Sequence, residues 1–139
     1  RKNEKSMKRQ ELIEFNNAFS KVKVSGLGKE ASLKYFKLKI TVSEEINKIK
    51  EYEKVAKEET KPDDVEDEHK LTTQQFTTWR NAFDGILEEY YNEELEKSPD
   101  TKILSEDELL NNIISNELNQ DMTTEEKSVL VKYLLKSSF

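Results

Sequence analysis

Residues 23–32 read KVSGLGKEAS. Two of the chain's three glycines, Gly26 and Gly28, fall in this stretch, with Lys29 directly after. Glycines followed by a lysine and a helix suggest two different things. One is a loop that cradles phosphate. The other is a corner between two helices, where a glycine takes a positive φ that a side chain would resist. A phosphate loop of the Walker type needs four residues between its glycines, then Lys-Ser/Thr, with a buried strand ahead. Here a single residue separates the glycines, Glu30 follows the lysine and an amphipathic segment precedes. The dinucleotide pattern G-x-G-x-x-G also fails, because its third glycine is replaced by Ala31. The stretch therefore reads as a corner, and a corner requires a helix on each side.

Both helices are written in the apolar spacing. Leu12, Ile13, Phe15, Phe19 and Val22 mark a first helix over about 6–22, with Ser6 as its N-cap. After the corner a long helix runs from about Lys29 to Lys57. Tyr35, Leu38, Val42, Ile46, Ile49, Tyr52 and Ala56 make one seam, of the kind found in a hairpin or coiled coil. Leu33, Phe36 and Ile40 make a second row, which predicts cover on two sides for the first half of this helix. The first helix is too short to reach Ile49, Tyr52 and Ala56. These three need a third helix or another molecule over them, and they stand as candidate contact residues.

Residues 58–71, EETKPDDVEDEHKL, break the pattern and read as an exposed, mobile acidic connection. Thr72 and Gln75 then form the first of three capping-box patterns, followed by Ser105 with Glu108 and Thr123 with Glu126. The third helix is expected to reach about Lys97, with Phe76, Trp79, Phe83, Ile86, Leu87, Tyr90 and Leu95 on its stripe. That stripe reads first as core. Trp79 becomes a fourth candidate contact residue if it is exposed. SPD at 98–100 reads as a turn and TKIL at 101–104 as a short extended piece. Two short helices close the chain, the first carrying Leu109, Leu110, Ile113, Ile114 and Leu118. The second carries Val129, Leu130, Tyr133 and Leu134. The expected fold is all-α, a single helical domain over 1–139. Its parts are a helical hairpin with a long second helix, a third helix packed on it and two short C-terminal helices.

Composition bounds the function. Charged residues make up 37% of the 139 and apolar residues 34%, which suits a thin helical bundle. There is no cysteine, so disulfides and thiolate metal sites are excluded. The N-terminal RKNEKSMKRQ is polar and does not read as a secretory signal, and its residues 1–6, ahead of Met7, read as an upstream extension or a remnant of expression. No apolar run is long enough to span a membrane. Residues 1–61 hold 16 Lys+Arg against 10 Asp+Glu, and residues 62–139 hold 7 against 19, so the halves carry +6 and −12. A basic half could face nucleic acid through Lys8, Arg9, Lys21, Lys23, Lys29, Lys34, Lys37 and Lys39. Arginine is scarce there and glutamates interleave, which makes nucleic acid the second reading and a protein partner or self-association the first.

Chemical motifs are missing where an enzyme would need them. His69 is the single histidine and sits in the acidic connection. Asp63, Asp64, Glu66, Asp67, Glu68 and His69 lack the glycine and the closing glutamate of a calcium loop. Glu88, Glu89, Glu93 and Glu94 decorate the outside of the predicted third helix, with no cleft between them. The expectation is a non-enzymatic protein with no catalytic, metal or cofactor residues.

The stretches KRQELIEFNNAFSKV and GLGKEASLKYFKLKITVSEEINKIKEYEKVAKE resemble a family of small helical proteins encoded among the morphogenesis genes of tailed bacteriophages. Leu12, Phe15, Ala18 and Phe19 match its first helix, and Ala31, Tyr35 and Phe36 open its long helix. NEELEKSPDTKILSEDELLNNII and MTTEEKSVLVKYLL are similar to its later layout. The resemblance implies a structural or assembly role, in the host cytoplasm during assembly or in the virion. It carries no site residues with it.

Overall fold

The computed structural model describes residues 6–67 and 69–136, and among them the protein is all-helical, with two isolated β-bridges and no strand. Helix α1 is Arg9–Phe19, α2 is Lys29–Glu59 and α3 is Thr73–Asn92. A single turn, α4, covers Glu106–Leu109 and runs into a π-helical turn at Leu110–Ile114, where Ser115 N–H reaches five residues back to Leu110 O. A 3₁₀ turn follows at Glu117–Asn119, and α5 closes the chain at Thr124–Leu134.

The corner reading holds in its backbone. Gly26 has φ +83° and Gly28 is the N-cap of α2, with φ −64°. All three capping boxes form: the hydroxyls of Thr72, Ser105 and Thr123 accept from the amides of Gln75, Glu108 and Glu126. Such signals are encoded within four residues, so nothing distant has to agree with them.

Helix ends set by distant contacts differ from expectation. Helix α1 starts at Arg9 and not near Ser6, because Met7 and Lys8 are extended and pair with residues 93–95. Leu95 N–H donates to Met7 O at 2.8 Å and Arg9 N–H to Glu93 O at 3.1 Å. The same pairing ends α3 at Asn92 instead of Lys97, and Leu95 is buried beyond the helix. The bend falls at 96–97, just before SPD. In TKIL, Leu104 is bridged to the end of α5, donating to Leu134 O and accepting from Lys136 N–H. The helix expected to carry Leu109 through Leu118 breaks into α4, the π turn and the 3₁₀ turn. The connection after α2 is not bare of core, since Val65 is buried.

Helix α1 lies in the middle of the molecule, packed on α5, α2 and α3. Its Phe15 and Phe19 stack at 4.7 Å between ring centroids, and Tyr133 of α5 and Tyr35 of α2 each close on that pair at 5.3 Å. Leu12, Phe15, Val42, Leu104, Ile113, Leu130 and Leu134 are fully enclosed around it. Helix α3 runs back along the second half of α2. Ala56, Val65, Trp79 and Leu87 are buried there, but they lie outside the main core cluster.

Candidate interaction faces

The four candidate contact residues lie along the α2–α3 junction. Ile49 and Ala56 are buried, and Trp79 is buried with its indole Nε1–H donating to Lys57 O at 2.9 Å. Tyr52 is partly exposed and stacks flat on Tyr90, with ring centroids 3.6 Å apart. Beside it, the Tyr91 hydroxyl donates to the Glu53 carboxylate, and burial with that carboxylate pushes the phenol pKa up. The cover that this seam needs beyond α1 therefore comes from α3. The aromatic stripe of α3 is only partly core: Trp79, Leu87 and Tyr90 are buried, Phe83 is half-buried, and Phe76 and Ile86 are exposed.

The second apolar row of α2 is where structure and expectation part. Leu33, Phe36 and Ile40 are 54%, 60% and 62% exposed, so nothing among the described residues covers them. At about 100° per residue they lie roughly 160° round the helix from Ala31, Tyr35, Leu38 and Val42, which face the core. Tyr35 meets Phe36 edge-on at 6.0 Å between ring centroids, and burial pushes the Tyr35 phenol up to about 12. The exposed Lys29 and Lys37 flank the row at helical spacing, with Glu30 and Glu44 beside them. These three large apolar side chains lie within about two turns on one exposed face of the helix.

Several of the basic residues are engaged inside the chain. Arg9 binds Glu93 at 2.7 Å and lies 4.1 Å over the Tyr90 ring, Lys21 pairs with Glu126, and Lys34 pairs with Glu30 at 3.6 Å. Lys39 lies 5.8 Å from the rings of Phe19 and Tyr35.

His69 is exposed, its amide bonded to Asp67 Oδ1 at 2.9 Å. It lines a groove of about 280 Å³ with Lys57, Leu71, Phe76, Trp79, Arg80 and Phe83. No three His, Asp or Glu side chains converge to hold a metal ion among the described residues. Glu68, part of the acidic cluster, and residues 1–5 lie outside the described residues. No described helix is long and apolar enough to cross a membrane.

One residue that sequence reasoning missed ties the corner to the C-terminal turns. Asn119 is buried, and its side-chain amide pairs with the backbone of Lys23 in both directions: Lys23 N–H donates to Oδ1 at 2.8 Å and Nδ2–H donates to Lys23 O at 2.7 Å. A further bond from Nδ2 reaches Ile113 O at 3.0 Å. The opening stretch KVSGLGKEAS is thereby locked to the C-terminal turns. No protein-family model, curated protein or solved structure matches the chain.

Proposed function

We propose that this chain is a non-enzymatic interaction protein that works by docking, as a structural or assembly component. The observation that carries the reading is the exposed Leu33–Phe36–Ile40 row. A chain with only 34% apolar residues leaves three of its largest on one solvent face of its longest helix. Covering them would release roughly 25 cal/mol for each Å² of apolar surface removed from water. The phage-family resemblance supplies the setting, particle morphogenesis, with the protein in the host cytoplasm or the particle.

The test uses Phe36→Asp with Ile40→Asp. Both positions are exposed, so circular dichroism and thermal stability are expected to stay close to the parent. Partners captured from producing cells and identified by mass spectrometry are expected to be lost from the variant. Capture of the same partners in the same amounts would show that docking does not use this face. Identification of particle proteins among the lost partners would support the phage setting, and of host metabolic enzymes alone would count against it.

A further inference from the structure

The molecule carries a basic apolar groove at one end and an acidic apolar knob at the other. The groove is the one lined by Trp79, Phe83, Leu71 and the 50%-exposed Phe76. Its ionisable lining residues are Lys57 from the end of α2 and His69 and Arg80 from beyond it, with Asp67 beside His69 and Asp84 beside Arg80. The Lys57 ammonium is 5.8 Å from the Trp79 ring centroid and the Arg80 guanidinium 5.9 Å from that of Phe76. Arg80 meets Asp84 only at 3.9 Å, in a pair that is more than half exposed, which leaves the guanidinium open to a better partner.

The knob is Leu118, 58% exposed in the 3₁₀ turn. The turn is held firmly from below. Leu118 N–H donates to Asn116 Oδ1 at 2.9 Å, and the next residue is the buried Asn119, tied to Lys23 and Ile113. Glu117 and Asp121, both exposed, stand one residue before it and three after it in the sequence. An aliphatic side chain between two acids is the complement in shape and charge of an apolar slot between basic side chains.

Groove and knob cannot meet within one chain. The knob is anchored to the corner just ahead of the N-terminus of α2, whereas the groove begins at Lys57, near the far end of that helix. At about 1.5 Å per residue these ends are some 42 Å apart. We propose that the groove of one copy takes Leu118 of the next, with Glu117 and Asp121 meeting Lys57 and Arg80. Because the two surfaces are different and lie at opposite ends, the contact is heterologous, and it repeats as an open head-to-tail chain where the rotation between copies does not close a ring. It extends the docking reading to a second surface and shares no residue with the α2 row.

The experiment is sedimentation velocity on the full chain. Small interfaces of this kind are weak, so association is expected at about 0.1–1 mM and low salt, growing past the dimer with concentration and receding at about 0.5 M salt. A groove variant, Phe76→Asp with Arg80→Glu, and a knob variant, Leu118→Asp with Glu117→Lys, are each expected to be monomeric. Mixed in equal amounts they are expected to form dimers and stop there, because each retains the half that the other lacks. If the Leu118 variant loses its helical circular dichroism, Glu117→Lys with Asp121→Lys replaces it. A parent monomeric at every concentration, a closed parent dimer, unaffected variants or a mixture that stays monomeric would each overturn the proposal. Loss of self-association in Phe36→Asp, with the groove and knob variants still associating, would also overturn it and leave the docking reading of the α2 row standing.

Discussion

Asn119 does with one side chain what a short strand pair does with two backbones. It gives Lys23 an acceptor and a donor at once and spends its second N–H on Ile113 O. Asn119→Ala would leave those groups unpaired in a largely closed site, at an expected cost of about 2–3 kcal/mol in chemical denaturation. Asn119→Asp is expected to cost more, because a carboxylate facing two carbonyl oxygens has no hydrogen to offer them; equal stability of the Asp variant would show that the clamp does not hold the corner. The two corner glycines offer a matched pair. A Cβ on Gly26 would sit at a φ of +83° and 2.9 Å from Asn112 Oδ1, whereas a Cβ on Gly28 meets nothing within 4 Å. Gly26→Ser is expected to lose about 1–2 kcal/mol, and Gly28→Ser to gain a few tenths by capping α2. Thermal melts of the two variants check this, and similar melts would place the strain elsewhere. The corner was legible in KVSGLGKEAS because glycine spacing is a local signal. The clamp was not, because an asparagine 96 residues away in sequence looks like any other polar loop residue.

At the scale of the element, the three paired capping signals were read correctly, and helix ends that depend on distant contacts were not. The three capping boxes fall where Thr72, Ser105 and Thr123 put them. The ends of α1 and α3 moved because Met7 and Leu95 pair across the fold, which no periodicity announces. On α2 the row Leu33, Phe36, Ile40 was visible, but an apolar row says that a face is sticky and not whether the same chain covers it. The reverse holds for Ile49 and Ala56, whose cover proved to be internal. Helix α3 is where this matters most, since few residues pin it to the far half of α2. Trp79 supplies a buried indole and a hydrogen bond to Lys57 O. Trp79→Ala is expected to cost about 3–5 kcal/mol, as for other truncations of large buried aromatics. Trp79→Phe is expected to recover most of that by keeping the volume and losing only the bond. Denaturant midpoints for the pair test this, and an unchanged midpoint in Trp79→Ala would mean that α3 is held by Tyr90 and Leu87 alone.

For the molecule as a whole, apolar burial is uneven along α2. Its first two-thirds belong to the enclosed core built on Phe15, Phe19, Leu130 and Leu134, and both ends of the described chain are tied into that region, by Met7 to Leu95 and by Leu104 to Leu134. Its last turns pair with the start of α3 through Ala56, Val65 and Trp79, which stand apart from that core. Opening the far end therefore exposes little of the main core, so it needs less free energy than unfolding the whole chain. Amide exchange followed by mass spectrometry is expected to divide accordingly. Peptides from α1 and from α2 up to about Ile49 should exchange only by global unfolding, and peptides covering roughly 54–82 should exchange sooner and with weaker dependence on denaturant. Equal protection of the two regions would show that α3 transmits the stability of the core through Tyr90 and Tyr52 to the far end. Unequal protection would put the cation-lined groove on the part of the molecule that opens first, and a partner filling that groove would then be seen as protection gained over 54–82 and nowhere else.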